Sequence, residues 1–147
     1  MILLAMLGVE PTRWRAILRV AACAFGSGIL ANLLKVSIPR LRPREVDLAA
    51  VNGWESFQIF SDLGWHEVIG SGVSGIQSFP SAHTATAFGL AIGLTWFFGK
   101  GRTVFLVLAI LAAIQRLACH AHWPSDLLMG ATLAFAFCPW LLVGRSR

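Results

Sequence analysis

The chain has 147 residues, 56% of them hydrophobic and 13% charged, with twelve basic and seven acidic side chains and a formal net charge of +5. Soluble domains average about 45–50% apolar and about 25% charged. A mean hydropathy of +0.70 therefore argues against disorder, a coiled coil or a water-soluble globule, and the length holds a single domain. An isoelectric point near 10.1 in so apolar a chain fits anionic membrane surfaces better than nucleic acid.

Residues 1–8 are apolar but too few to cross a bilayer, and they lack the charged front and cleavage site of a signal peptide. They read as the stub of a further span or as a surface-lying start. A crossing takes about 20 mostly apolar residues, and four stretches approach that: 14–36, 81–98, 103–118 and 127–143. The last two are short, so their helices are expected to extend into the flanking segments. The tight basic turn Gly99-Lys100-Gly101-Arg102 joins the second to the third. The loop 38–79 is too long for a bare connection. Its Trp54, Phe57, Phe60, Trp65, Val68 and Ile69 predict a short interfacial helix broken near Gly64. Most tryptophans fall near span ends, as an interfacial belt does. Cys23, Cys119 and Cys138 are scattered through apolar runs, which is neither a disulfide framework nor a zinc spacing, and read as buried small groups. The expected fold is an all-α integral membrane bundle of four transmembrane helices. It is one domain over residues 1–147, with its core at 14–143.

Sidedness follows from the basic residues. Alternating spans put Arg13, Arg15, Arg19, Lys100, Arg102, Arg145 and Arg147 on one face against a single acid, Glu10. The opposite face receives five basic residues (Lys35, Arg40, Arg42, Arg44, Arg116) and six acids. The first face is expected to be cytoplasmic and the second extracytoplasmic.

Ionisable groups at membrane depth default to functional hypotheses, and here they gather at the extracytoplasmic ends of all four spans. Lys35 ends the first, with Arg42-Pro43 just beyond. Pro80-Ser81-Ala82-His83 opens the second, Arg116 closes the third, and His122 through Asp126 open the fourth. Their chemistry is anion chemistry: three fixed cations, two of them forked guanidiniums matched to phosphate oxygens. Pro80 is expected as the first helical residue, leaving the N–H groups of Ser81 and Ala82 turned outward, an arrangement that binds phosphate. The Ser81 hydroxyl adds a donor. Pro124 is expected in the first turn of the fourth helix, with the Asp126 carboxylate reaching back to His122. A carboxylate on one ring nitrogen fixes the tautomer and makes the other a better nucleophile or base.

The pattern Lys35-x6-Arg42-Pro43, Pro80-Ser81-Ala82-His83, Gln115-Arg116-x5-His122-x3-Asp126 resembles the type 2 phosphatidic acid phosphatase superfamily, the membrane branch of the clan that includes vanadium haloperoxidases. Every internal spacing matches, over a region from about residue 14 to the C-terminus. Ala82 stands where the family has glycine and Gln115 where it has serine. The family usually has six spans, and the first two have no counterpart among the four here. The resemblance implies a metal-independent, cofactor-free hydrolysis of a lipid phosphate monoester or pyrophosphate through a phosphohistidine. It makes His122 the nucleophile, Asp126 its orienting partner and His83 the proton donor and acceptor. Lys35, Arg42, Ser81, Ala82 and Arg116 become the phosphate ligands. It implies a lipid phosphate substrate and the bacterial inner membrane, with the site facing outward. Nothing in the sequence selects the lipid or the oligomeric state.

Blander roles exist for each residue. Lys35 and Arg42 could be interfacial anchors, Arg116 a snorkelling end residue, Pro80-Ser81 a simple helix start, and His122 with Asp126 a capping pair. The shared register weighs against these. Cys119, His120 and His122 are too compressed for a closed zinc site, and His120 reads as a loop residue beside the site. His66 has no assigned role. Arg40 and Arg44 read as a solvated loop face, possible tuners of substrate entry at most. Alternatives to the phosphatase are a phosphotransferase with the same intermediate and a non-catalytic membrane subunit.

Overall fold

The computed structural model describes residues 14–49, 53–57 and 74–143. These form four α-helices: α1 (Trp14–Ser37), α2 (Ala82–Phe98), α3 (Arg102–Ala118) and α4 (Pro124–Leu142). Two short 3-10 turns, Pro43–Glu45 and Ser74–Ile76, lie between α1 and α2. The boundaries have local causes. Ser81 caps α2 by accepting from the Thr84 N–H, and Gly99 ends that helix in the left-handed region at φ 63° with its N–H on Thr95 O. Pro124 starts α4, where a missing N–H costs nothing. The expected extension of the fourth span into its flanking motif is thus present, whereas the third gains only Arg102.

The helix α2 is central and packs against α1, α3 and α4, while α1 also meets α4. Close approach is possible because small residues line these contacts, as between helices in membranes. A Cβ on Gly89 would overlap the Cys23 carbonyl and stand 2.9 Å from Ser27 Oγ; one on Gly93 would lie 3.0 Å from Val20 Cα. Ser27 is fully buried there, its hydroxyl donating 2.7 Å to Cys23 O. Cys23 and Cys138 sit in the core with Ala134. Cys119 is exposed at the end of α3, against the expectation that all three cysteines are buried, because it falls just beyond the last helical turn.

Large apolar side chains are left outward along α1 (Phe25, Ile29, Leu33), α3 (Val104, Leu108, Leu111) and α4 (Leu128, Phe135, Trp140), far more apolar surface than a water-soluble domain exposes. Among the described residues α1 and α4 are long and apolar enough to cross a membrane, and α2 is a shorter apolar helix.

At one end of the bundle the segment after α1 runs between two neighbours. Arg40 bridges antiparallel to Phe57 and parallel to Gln77. Its N–H donates to Ile76 O at 2.7 Å, and its carbonyl accepts from Ser78 N–H at 3.0 Å. Leu41 N–H bonds Ser56 O, Arg42 N–H bonds Gly75 O and Arg44 N–H bonds His120 O. Trp123 seals the rim by donating its indole N–H to Leu41 O at 2.8 Å, so this tryptophan is a structural tie rather than a belt residue. The expected interfacial helix is not found where it can be checked: Trp54 to Phe57 form a turn, and the remainder of that stretch lies outside the described residues.

Candidate active site

The rim holds every residue the motifs single out. Lys35 comes from the last turn of α1 and is only 9% exposed. Arg42 precedes the first 3-10 turn, His83 lies in the first turn of α2, Arg116 in the last turn of α3, and His122 and Asp126 flank the start of α4. They are one electrostatic cluster: His83 feels Arg116, His122, Lys35 and Arg42 directly, and Arg42 feels Arg116 and Asp126.

The start of α2 differs from the sequence expectation. Pro80 lies ahead of the helix, joined to Phe79 by a cis peptide bond, and Ser81 is the cap instead of the second helical residue. The Ser81 N–H is spent on Asp126 O at 3.0 Å. Its hydroxyl oxygen accepts from Thr84 N–H (3.4 Å) and from the Thr84 hydroxyl (3.0 Å). Capping wins because it satisfies a backbone donor that the proline register would leave open. The hydroxyl keeps its own proton to donate, and the helix-start N–H groups without an intrahelical acceptor become those of Ala82 and His83.

His122 is 3% exposed and Asp126 fully buried. The His122 Nδ1 lies 2.8 Å from the Ser78 carbonyl and 3.5 Å from Asp126 Oδ2. A carbonyl only accepts, so Nδ1 carries the hydrogen, and in the neutral ring the lone pair is then on Nε2. The carboxylate does reach back to the imidazole, but its closest ties are elsewhere. Ser78 Oγ donates to Oδ2 at 2.5 Å, Trp123 N–H donates to Oδ2 at 2.9 Å, and Arg40 Nη1 donates to Oδ1.

Arg40 corrects the reading of a solvated loop residue. It is 2% exposed, its Nη1 also bonds Ser125 Oγ (2.7 Å), its Nε bonds Ser56 Oγ (2.8 Å) and its Nη2 bonds Gly53 O (2.9 Å). The guanidinium stands 4.2 Å from the Phe57 ring centroid and 5.2 Å from that of Trp123. Burial lowers its pKa from the ordinary value while the Asp126 carboxylate beside it works in the opposite direction. Arg44, by contrast, is exposed and pairs with Glu45 at 3.1 Å, as a loop-face residue should. Ser78 and Arg40 were missed because neither belongs to a spaced motif.

The three remaining cations stand differently. Lys35, Arg42 and Arg116 have no carboxylate partner among the described residues. Arg42 Nε is buried without a hydrogen-bond acceptor, and its Nη2 makes only a long 3.4 Å contact to Gln77 O. Burial lowers the Arg42 pKa first of all, and the neighbouring Arg44 and Arg116 charges add to that. Arg116 Nε donates to Gln115 Oε1 at 2.5 Å, so the glutamine in the serine position steadies this guanidinium. Among the described residues no three His, Cys, Asp or Glu side chains are grouped to hold a metal ion.

The helix bundle gathers Lys35, Arg42 and Arg116, without a salt-bridge carboxylate among the described residues, beside two histidines at one end of an apolar body. The family model described as the PAP2 superfamily matches residues 16–147, and the chain belongs to that superfamily. It is 36% identical over 114 residues to a lipid A 1-phosphatase of Rhizobium johnstonii, covering 78% of this chain and 40% of that protein. It is 37% identical over 109 residues to a lipid A 1-phosphatase of Rhizobium etli, covering 74% and 40%. With a lipid A 4'-phosphatase of Bacteroides thetaiotaomicron the identity is 43% over 65 residues, covering 43% and 28%. The chain thus spans about 40% of the length of the two Rhizobium relatives. No solved structure matches it.

Proposed function

We propose that the chain is a membrane lipid phosphate phosphatase, acting through a phosphohistidine on a phosphate carried by a lipid headgroup. The observation that carries this reading is the set of Lys35, Arg42 and Arg116, cations without a carboxylate partner among the described residues, around an exposed His83 and a buried His122 whose Nδ1 is occupied. Buried or half-buried cations are costly unless an anion joins them, and three such groups match the equatorial oxygens of a phosphoryl group in transfer. Two relatives named for action on lipid A support a phosphorylated glycolipid as the substrate class.

In this mechanism His122 Nε2 attacks phosphorus, a P–N bond forms and the P–O bond to the lipid breaks. His83, exposed enough to exchange protons with water, gives its proton to the leaving oxygen. It then takes a proton from water as that water attacks phosphorus and the P–N electron pair returns to Nε2, releasing inorganic phosphate. Lys35, Arg42, Arg116, the Ser81 hydroxyl and the Ala82 N–H hold the charge that develops, each well-placed donor being worth about 3–4 kcal/mol. No step uses a metal. All four helices lie in the bilayer with the site at its extracytoplasmic surface, so that the headgroup enters from water while the chains stay in lipid.

The test is phosphate release from a panel of lipid phosphates, lipid A included, in detergent with EDTA present. Activity that survives EDTA and is lost on adding vanadate agrees with the reading. Transfer of the phosphoryl group to an added alcohol instead of water makes the protein a phosphotransferase. A monodisperse, helical preparation that releases no phosphate makes it a non-catalytic subunit.

A further inference from the structure

Arg40 lies beside the cationic site, buried, with most of its donors already engaged. Four of its five N–H donors are already bonded, to Asp126, Ser125, Ser56 and the Gly53 carbonyl, and two aromatic rings cover its faces. What it holds is the support of His122. Its side chain fixes the Asp126 carboxylate, and its carbonyl fixes Ser78 through the Ser78 N–H. Ser78 then closes the ring by donating its hydroxyl to Asp126 Oδ2. The His122 imidazole hangs from this ring at two points, the Ser78 carbonyl and Asp126 Oδ2.

The charges point the same way. Asp126 is fully buried, and its carboxylate meets two cationic or potentially cationic neighbours, Arg40 and His122. With Arg40 gone, the imidazole becomes the nearest group able to neutralise the carboxylate, and a protonated ring has no lone pair for phosphorus. The other charged or titratable groups of the rim, Arg116, His122, Lys35 and Arg42, act on His83 at the start of α2. Asp126 is the carboxylate within reach of His122, and Arg40 is the cation bonded to that carboxylate.

We propose that Arg40 is a positioning residue: it locks Asp126 and Ser78 so that His122 keeps its hydrogen on Nδ1, stays neutral and presents Nε2 to the phosphate. The inference rests on the reading of His122 as nucleophile. It places Arg40 outside the set of phosphate ligands, so its loss should change turnover rather than substrate capture.

The experiment uses the whole chain in detergent and compares wild type with Arg40→Gln, Arg40→Lys, Asp126→Asn and the Arg40→Gln/Asp126→Asn double variant. Arg40→Gln is expected to lower kcat at neutral pH about 100-fold, the scale of losing an outer partner that sets a histidine's orientation, with KM within about threefold. Its acid limb should move up by roughly one pH unit, so that part of the rate returns at higher pH. Arg40→Lys keeps the charge without the fork and should fall between the two. In the Asp126→Asn background Arg40→Gln should cost less than about threefold, because both act through one group. A folded Arg40→Gln protein with wild-type kcat and an unmoved acid limb overturns the proposal, as do fully additive losses. Should Arg40→Gln not fold, Ser56→Ala removes the Nε partner together with the Ser56 hydroxyl bond to Gly53 O, and the proposal then requires a lower kcat at unchanged KM. Nitrogen-15 histidine NMR reads the same effect without turnover: His122 should be the Nδ1–H tautomer in wild type and imidazolium at neutral pH in Arg40→Gln. A wild type that shows this response but releases no phosphate sinks the phosphatase reading alone. An active wild type whose His122 signal ignores Arg40→Gln or Ser56→Ala sinks the Arg40 proposal alone.

Discussion

At the scale of single residues, Ala82 and His122 make a paired test of the mechanism, because one contributes only its backbone and the other its side chain. His122→Ala removes the nucleophile and should abolish phosphate release, whereas Ala82→Gly keeps the same N–H at the start of α2 and should leave kcat nearly intact. Glycine in that first turn costs at most about 1 kcal/mol of stability. Initial rates of phosphate release, with phosphorus NMR of the trapped intermediate, check both; full activity in His122→Ala would falsify the mechanism. Arg42→Ala is expected to lower kcat/KM by about 100- to 1000-fold, the scale of one lost transition-state donor, since its buried Nε has no other partner. The motif residues were legible in the sequence because their spacings of three to seven residues are local. Arg40 and Ser78 were not: their roles arise from a bridge between residues 40 and 77, which no spacing announces. At Pro80-Ser81 two local rules competed, proline as first helical residue and serine as cap, and the Thr84 N–H decided for the cap.

At the scale of elements, the site depends on how closely α2 lies against its neighbours. A Cβ on Gly130 of α4 would come within 2.5 Å of Ser81 O and 3.2 Å of Ala85 N. Backbone atoms cannot swing aside as a side chain can, so Gly130→Ala must part α4 from the start of α2. It should cost about 1–3 kcal/mol and also lower kcat, because the Ser81 N–H to Asp126 O bond at 3.0 Å spans that contact. Gly89→Ala forces α1 from α2 against the Cys23 carbonyl, deep in the bundle. It should lower thermal stability by a similar amount with less effect on kcat per folded molecule. Thermal melts alongside rates separate the two, and equal kcat losses would contradict a site keyed to the α2–α4 contact. The helices themselves were readable to within three residues at each end, since apolar runs bounded by Gly99, Arg102 and Pro124 leave little choice. What the pattern could not convey was the central place of α2, which follows from where glycines meet carbonyls in three dimensions.

At the scale of the whole molecule, the proposed function divides most of the twelve basic residues into an orienting set and a site set, and the division can be tested through one thiol. Cys23 and Cys138 are fully buried, whereas Cys119 is exposed at the end of α3, three residues beyond Arg116 and on the rim that holds the site. Thiol reagents attack the accessible thiolate, so Cys119 is the position a membrane-impermeant maleimide should find first. The proposed orientation rests on Arg13, Arg15, Arg19, Lys100, Arg102, Arg145 and Arg147 staying in the cytoplasm. It requires labelling of Cys119 when the reagent is added to intact spheroplasts, and loss of that labelling in Cys119→Ser. Inside-out vesicles should label only after detergent opens them. The reverse pattern, with label entering inside-out vesicles and sparing spheroplasts, would put the phosphate site in the cytoplasm. The lipid substrate would then have to be presented from the inner leaflet, and the assignment of the seven basic residues to the cytoplasm would be overturned.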